Sequence, residues 1–349
     1  MSAESIKTIW FLVKKGRIIL LGTALMLLLF FLLTAAMVHH ALQPLNNKGE
    51  NQTFEVKEGS TLNQIAVDLE KAHIIPNSTV FRLSGRFMGY DQRIKTGEYR
   101  LNSAMPPLKI LEILEKGRTI TYSITIPEGF NLNQIADLLE QKGLTRKTTF
   151  LEQAEDRSLV ESLDFSGETL EGYLYPDTYR FGRNEKAGKI ISVMVKRFRD
   201  IVTPFEEKIK DSGMTLRQVI TLASIVEKET GQPEERPMIA RVFLNRLNKN
   251  MRLESDPTVI YGISNFDGNL TKRDLKTKTP YNTYVIGGLP PGPIANPGLA
   301  AIKAVLNPAD GRYYYFVSKN DGTHYFSETL REHNRAVKRF QKNRRKEQG

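Results

Sequence analysis

An internal repeat is the feature that most constrains the fold of this chain. The stretch from Phe54 to Glu70 is matched by the stretch from Ile124 to Glu140. The identical residues are Glu58, Gly59, Leu62, Asn63, Gln64, Ile65, Ala66, Leu69 and Glu70, which recur as Glu128, Gly129, Leu132, Asn133, Gln134, Ile135, Ala136, Leu139 and Glu140. Such dense matches mark two copies of one supersecondary unit. Apolar residues alternate before each glycine and follow helical spacing after it, so each copy is predicted to form a strand, a turn and an amphipathic helix.

An uncharged run from Ile18 to Val38 is the second constraint. A helix crosses a bilayer with about 20 apolar residues, and this run is long enough. The basic residues before it are Lys7, Lys14, Lys15 and Arg17, and the next one is Lys48. This asymmetry predicts a cytoplasmic N-terminus. A cleaved signal peptide is the alternative, but its apolar core would span about 7–15 residues and end at an Ala-x-Ala-like site. We therefore predict an uncleaved single-pass anchor.

Composition narrows the chemistry. The 349 residues carry a net charge of +11 and no cysteine, which excludes thiol chemistry and favours an acidic partner such as an anionic polymer or lipid. The sequence has no recognisable nucleic-acid module, so nucleic acid is not an expected partner. None of the five histidines has a metal-binding spacing, and no nucleophile elbow or phosphate loop occurs. Carboxylates, tyrosines and asparagines are abundant, which suits glycosidic-bond chemistry.

The stretch from Thr215 to Glu229 predicts a central helix. Thr215 and Gln218 form a capping box at its start. One core face is formed by Leu216, Val219, Ile220 and Ala223, and a second apolar line is formed by Leu222, Ile225 and Val226. Glu229 continues the second line, whereas Glu227 lies about 200° away around the helix. At most one of the two carboxylates can therefore face a given site. The alternative is that both carboxylates lie on a solvent-exposed part of the helix and neither belongs to a site.

Between the repeat and the C-terminus, the pattern predicts further helices and a hairpin formed by residues 313–318 and 324–327. Asp256 and Pro257 predict a helix start with Asp256 as the N-cap, and an acidic group of the site is the alternative role for Asp256. The proline-rich segment from Pro290 to Pro293 is expected to shape the wall of a groove.

Several strings follow one another in the order of a known family. They are Glu171–Tyr179 (EGYLYPDTY), Ala223–Thr230 (ASIVEKET), Phe243–Leu247 (FLNRL), Met251–Leu253 (MRL), Ser255–Gly262 (SDPTVIYG), Tyr281–Tyr284 (YNTY) and Gly288–Ile294 (GLPPGPI). Together they resemble the MltG-type (YceG-like) endolytic murein transglycosylases over nearly the whole chain after the anchor. The repeat also resembles a LysM-like βα element, a fold often used to bind wall polysaccharide.

The resemblance implies a fold class and a domain order. The fold is expected to be α+β, with an N-terminal transmembrane helix, a LysM-like βα subdomain and a mixed α/β catalytic domain with a groove. The expected segments are a cytoplasmic N-terminus (1–17), the transmembrane helix (18–38), a linker (39–52), the LysM-like domain (53–120), the catalytic domain (121–345) with the second repeat at 124–145, and a basic tail end (346–349). Sugar binding by the LysM-like units and a role as rigid spacers both remain open.

The resemblance also implies an activity. Glu229 would protonate the bond between MurNAc and GlcNAc within nascent peptidoglycan strands, then act as base on the MurNAc C6 hydroxyl and give 1,6-anhydro-MurNAc ends. No metal or cofactor is required. The candidate substrate-binding residues are Tyr175, Asn245, Asp256, Tyr261, Asn282 and Tyr284. The expected partners are glycan strands, the bacterial inner membrane through residues 18–38, and peptidoglycan synthases, with the catalytic domain in the periplasm.

Two alternatives and one departure accompany this expectation. The chain could be a non-catalytic peptidoglycan-binding scaffold, or a muramidase that uses water and leaves reducing ends. Directly after the ASIVEKET string, Gly231-Gln232-Pro233 should end the central helix close to Glu229. This break could orient the carboxyl of Glu229 differently from that of relatives.

Overall fold

The computed structural model describes the backbone of residues 3–342 and the side chains of residues 10, 16–17 and 20–341. The chain forms two compact units, Met1–Thr121 and Tyr122–Gly349. The predicted basic tail end, residues 346–349, lies outside the described residues, as do the first two residues of the predicted cytoplasmic N-terminus.

The first unit contains one long helix followed by a small α+β core. Its elements are α1 (Ala3–Ala41), β1 (Gln52–Val56), α2 (Leu62–Lys71), α3 (Ser78–Phe87), β2 (Gly97–Leu101) and α4 (Pro107–Lys116). Strands β1 and β2 are antiparallel, with Gln52 opposite Leu101 and Val56 opposite Gly97. Apolar side chains of the strands and of α2–α4 form one buried cluster, in which Tyr99 is fully covered.

Helix α1 contains a span of 22 residues, Leu20–Ala41, that is long and apolar enough to cross a membrane. It is the one such helix among the described residues. The sequence predicted this helix at residues 18–38, and its length and composition are compatible with a single-pass anchor.

The second unit is larger and mainly helical. Its elements are β3 (Tyr122–Thr125), α5 (Leu132–Gln141), α6 (Lys147–Ala154), α7 (Arg157–Ser162), β4 (Thr178–Phe181), α8 (Ala187–Val202), α9 (Glu206–Asp211), α10 (Leu216–Glu229), α11 (Arg236–Asn248), α12 (Asp256–Tyr261), α13 (Leu299–Leu306), β5 (Tyr315–Ser318), β6 (His324–Ser327) and α14 (Leu330–Val337). Strand β3 pairs antiparallel with β4, and β5 pairs with β6 as the predicted hairpin. The combination confirms the α+β class.

Both copies of the repeat fold as strand, turn and helix, as predicted. Gly59 and Gly129 have φ angles of 78° and 76°, in the left-handed region that a side chain disfavours, which explains why glycine recurs there. Thr61 and Asn131 then cap α2 and α5 through matching capping boxes. The copies differ in how far along the chain the partner strand lies: two helices, α2 and α3, separate β1 from β2, whereas three helices, α5 to α7, separate β3 from β4.

Helix α10 lies at the centre of the second unit. Thr215 caps it through the predicted capping box, and every residue from Val219 to Val226 is buried. It packs against α11, α12 and α13. Eight successive buried residues mean that all faces of the middle of this helix are covered, so its last turn is held firmly in place.

Candidate active site

Glu229 is the last residue of α10, and the chain leaves the helix at Thr230 in an extended conformation. The next helical turn begins at Pro233, so Gly231-Gln232-Pro233 does end the helix as predicted. Glu229 remains on the apolar line of Leu222 and Val226, which are buried. The carboxyl group of Glu229 therefore lies at the edge of the core, at the C-terminal end of α10.

The carboxyl of Glu229 has one short contact. The hydroxyl of Ser255 donates a hydrogen bond to Glu229 Oε1 at 2.5 Å. Burial raises the pKa of Glu229 to about 7; the Ser255 hydrogen bond opposes this rise, the charge of Asp256 adds to it, and Arg246 opposes it. Glu229 is thus a carboxylic acid that keeps its proton close to neutral pH.

Ser255 is held in place by two threonines. Its backbone N–H donates to Thr283 Oγ1 at 2.9 Å, and its carbonyl accepts from Thr258 Oγ1 at 2.7 Å. The hydroxyls of Thr258 and Thr283 lie 2.8 Å apart, and Ser255, Thr258 and Thr283 are all buried. This closed network fixes the donor that contacts Glu229.

Arg246 of α11 forms hydrogen bonds with the two residues that precede Ser255. Its buried guanidinium donates to the carbonyl of Leu253 at 2.8 Å and to the Glu254 carboxylate at 3.1 Å. Glu254 has a φ angle of 52°, which is unusual for a residue with a side chain, and its N–H donates to the carbonyl of Thr283 at 3.2 Å. A conformation of this kind persists where surrounding contacts impose it, and it turns Ser255 towards Glu229.

Asp256 and Tyr284 form the exposed side of the site. The hydroxyl of Tyr284 donates to Asp256 Oδ1 at 2.7 Å, and Asp256 is exposed. The prediction that Asp256 is an N-cap is wrong: Ser255 occupies the cap position, while Asp256 and Pro257 are the first two helical residues. A proline fits the first or the second position of a helix, because the N–H that proline lacks would have no partner in the first turn. The Asp256 carboxylate is consequently free to contact Tyr284.

Glu227 faces a different part of the unit. Its Oε1 accepts from the Arg236 guanidinium at 2.6 Å and its Oε2 accepts from the backbone N–H of Gly298 at 3.0 Å. Burial raises the pKa of Glu227, although both partners oppose the rise. The prediction that Glu227 and Glu229 cannot share one site is confirmed.

The structure places the remaining predicted residues apart from Glu229 or in internal roles. Tyr261 donates its hydroxyl to Glu171 Oε2 at 3.1 Å. Asn282 is fully buried and its amide donates to three backbone carbonyls, while Asn245 donates to the carbonyls of Gly311 and Tyr313. Tyr175 is buried, and the guanidinium of Arg197 lies over its ring. These contacts hold loops together, and direct sugar contact stays a prediction for these residues.

Sequence reasoning gave no role to Glu171, which is a second buried carboxyl. It accepts hydrogen bonds from the Leu132 N–H at 3.1 Å, from the Tyr261 hydroxyl and from the Asn296 amide at 3.0 Å. Burial raises its pKa to about 8. Its partners are distant in sequence, so only the EGYLYPDTY string could have drawn attention to it. Glu171 joins α5, the end of α12 and the loop before α13.

The residues around Glu229 define what the site can do. A single carboxyl with a pKa near neutrality can give up a proton and take one back. Asp256 places a negative charge on the open side, where a positive charge on a bound molecule would be favoured. Among the residues that the structure describes, no cluster of His, Cys, Asp and Glu could hold a metal ion. The arrangement suits proton transfer to and from a bound substrate.

Comparison with known proteins gives a consistent result. The model of the YceG-like family matches residues 54–339. A Bacillus subtilis (strain 168) protein named endolytic murein transglycosylase is 32% identical over 82% of this chain and 84% of its own length. A Streptococcus pneumoniae (serotype 2, strain D39) protein of the same name is 31% identical over 83% of this chain, which spans 58% of that longer relative. The crystal structure of a yceG-like protein from Listeria monocytogenes is 36% identical, with a TM-score of 0.57 over 83% of this chain and 100% of that one.

Proposed function

This chain belongs to the YceG-like family, and we propose that it is an endolytic murein transglycosylase in which Glu229 acts first as acid and then as base. One observation carries the assignment of Glu229. Its carboxyl is desolvated at the end of a buried helix, has a pKa of about 7, and contacts a buried serine on a network of threonines. Relatives named for this activity, 31–32% identical over most of the chain, support the reaction class.

The reaction requires no water and can use this one carboxyl twice. Protonated Glu229 gives its proton to the glycosidic oxygen between MurNAc C1 and GlcNAc, and the C1–O bond breaks. The C6 hydroxyl oxygen of the same MurNAc then forms a bond to C1, while its proton goes to the Glu229 carboxylate. The products are a 1,6-anhydro-MurNAc end and a free GlcNAc end, and the acid is restored. Because the attack is intramolecular, its effective concentration is high.

The groups beside Glu229 match the charge changes in this sequence. Positive charge develops on the sugar ring as the C1–O bond breaks. The exposed Asp256 carboxylate, oriented by Tyr284, stabilises that charge, and the Ser255 hydroxyl stabilises Glu229 after it has lost its proton. Tyr284 and Asp256 are accordingly the substrate-facing pair in this proposal.

The location of the substrate follows from α1. We propose that Leu20–Ala41 spans the bacterial inner membrane with the N-terminus in the cytoplasm, which leaves the second unit in the periplasm. An anchored enzyme reaches glycan strands that are still close to the membrane and to the synthases that extend them, so its cuts limit strand elongation. We propose that the βα repeat of the first unit, which resembles a LysM-like element in sequence, either binds glycan or acts as a spacer.

The products of digestion in H₂¹⁸O distinguish the proposed reaction from its alternatives. Full-length protein in proteoliposomes would be incubated with purified peptidoglycan, and the new ends would be identified by mass spectrometry after muramidase trimming in ordinary water. We expect 1,6-anhydro ends without ¹⁸O. New reducing ends that carry ¹⁸O would identify a muramidase. Tight binding without new ends of either kind would identify a scaffold.

A plot of kcat/KM against pH should be level at low pH and should fall at high pH, with a single falling limb. The first step requires protonated Glu229, whose pKa is about 7, so the protonated fraction is nearly complete below pH 6 and falls about tenfold per pH unit above pH 8. We expect kcat/KM for a soluble glycan to follow this fraction. It would be measured between pH 5 and pH 9 at constant ionic strength.

Two substitutions should move this limb in opposite directions. Ser255→Ala removes a hydrogen bond that lowers the pKa of Glu229, so the limb should move to higher pH. Asp256→Asn removes a charge that raises the pKa of Glu229 and keeps an oxygen for Tyr284, so the limb should move to lower pH. A limb unchanged in both variants would show that another group controls the pH dependence.

A further inference from the structure

Helix α3 of the first unit has two apolar faces. Phe81 and Gly85 point into the core, where Phe81 is fully covered. Leu83 and Phe87, one helical turn apart, point outward and are 55% and 94% exposed, and Met88 follows at the end of the helix, also exposed. Isolated exposed apolar residues are common, but adjacent ones on a second helical face form a patch that favours contact with an apolar partner.

The position of this patch relative to α1 indicates the partner. Helices α1 and α3 are in contact within the first unit. The apolar span of α1 is exposed over nearly all of its length, but its last residue, Ala41, is only 7% exposed. The end of the span therefore coincides with the surface of the unit. At 1.5 Å per residue, the span is about 33 Å long, close to the thickness of the hydrocarbon core of a bilayer.

The connection after α1 is short and fixed. Asn46 donates its backbone N–H to the carbonyl of Ser103 at 3.0 Å and its side-chain amide to the Ser103 hydroxyl at 3.1 Å. Leu45, just before it, is partly exposed. A segment bonded to the unit so soon after α1 cannot act as a long tether, so the surface that carries α3 stays next to the membrane exit of α1.

We propose that Leu83, Phe87 and Met88, here called the α3 patch, insert into the interface of the bilayer that α1 crosses, together with exposed Leu45 just after α1. This inference rests on the proposed membrane span. The partner is a phospholipid surface: apolar side chains reach the boundary between headgroups and acyl chains, as in helices that lie in the membrane plane. Exposed Arg86 and Lys48 lie near the patch in sequence and suit anionic headgroups.

The contact between α3 and α1 favours lipid over a second protein as the partner of the α3 patch. An apolar surface adjoining a transmembrane helix meets the bilayer without any further association step, whereas a protein partner would have to displace lipid from it. The first unit would then rest against the membrane at two points, α1 and the α3 patch, and its rotation about the axis of α1 would be restricted.

The chain has no native cysteine, so single cysteines can be labelled without other changes. Full-length protein would carry a nitroxide at Phe87→Cys, Leu83→Cys, Phe30→Cys or Lys57→Cys in vesicles of phosphatidylethanolamine and phosphatidylglycerol. Phe30 lies in α1 and reports on the membrane span, whereas exposed Lys57 follows β1 and serves as the control. Power saturation with oxygen, which concentrates in lipid, and with a water-soluble nickel chelate would measure the depth of each label.

The proposal expects labels at positions 83 and 87 to be more accessible to oxygen than to the nickel chelate, at a shallower depth than position 30, with position 57 in water. A lipid-like signal at position 30 with a water-like signal at positions 83 and 87 would overturn the α3 patch and leave the anchor intact. Low accessibility of positions 83 and 87 to both reagents would mean that a protein covers the patch and would also overturn it. Water-like signals at every position would overturn the anchor and the patch together.

Discussion

Glu229→Gln should lower the rate of glycan cleavage by about 10³-fold or more, because the amide can neither donate the proton nor take it back. Glutamine has nearly the same shape and still accepts the hydrogen bond from Ser255, so the fold should be retained. The measurement is the rate at which 1,6-anhydro ends appear in peptidoglycan digested by full-length protein in proteoliposomes. Glu234→Gln is the matched control, since Glu234 is an exposed glutamate nearby, and it should keep full activity.

Thermal unfolding of the two variants would be compared with that of the unchanged chain. An inactive Glu229→Gln protein with an unchanged melting temperature would assign the chemistry to this carboxyl. If Glu229→Gln retained full activity, the acid would have to be another carboxyl, such as Glu227 or Asp256, and the role proposed for Glu229 would be wrong.

Glu227→Ala should lower the free energy of unfolding of the second unit by about 3 kcal/mol, because it leaves a buried guanidinium without its main partner. The side chains of Glu227 and Arg236 are 5% and 8% exposed, and the ion pair between them is 2.6 Å long. The remaining carboxylate near Arg236, that of Glu128, lies at 3.7 Å and is half exposed. Denaturation in urea, followed by circular dichroism at matched protein concentrations, measures the change.

The double variant Glu227→Ala, Arg236→Met distinguishes two causes of lost stability: the loss of contacts made by Glu227, and the unpaired buried charge of Arg236. Replacing the arginine with an apolar side chain of similar length removes the unpaired charge, so most of the lost stability should return. If Glu227→Ala were as stable as the unchanged chain, water would have to reach Arg236 and the ion pair would not be buried in solution. A double variant no more stable than the single one would instead assign the loss to packing or to the N–H of Gly298.

The part of the site built by local sequence could be predicted. The capping box at Thr215 and the apolar line through Leu222 and Val226 fix where α10 begins and which way Glu229 points, because helical periodicity relates residues only a few positions apart. The same logic predicted the repeat and the end of α10 at Gly231-Gln232-Pro233. All of these features were found in the structure.

The part built by distant contacts could not be predicted. Ser255 reaches Glu229 only because Thr283 and Arg246 set the conformation of its segment, and no periodic pattern connects these positions. The N-cap was assigned to Asp256 because an aspartate before a proline is a common helix start, yet Ser255 takes that position. The resemblance to a family, and not the local pattern, identified the strings that contain these residues.

The Glu171 contacts have a consequence for how the enzyme is made. Its partner Asn296 lies 125 positions further along the chain, and Tyr261 lies 90 positions further. In the proposed topology the N-terminus stays in the cytoplasm and the residues after α1 are exported in order, so the core of the first unit emerges early and can close with pairings inside its own residues. The second unit cannot bury Glu171 or settle α12 until Asn296 has emerged, because contacts so far apart in sequence form only after a costly loop has closed. If the proposed topology holds, export is therefore nearly complete before the chain can cut peptidoglycan.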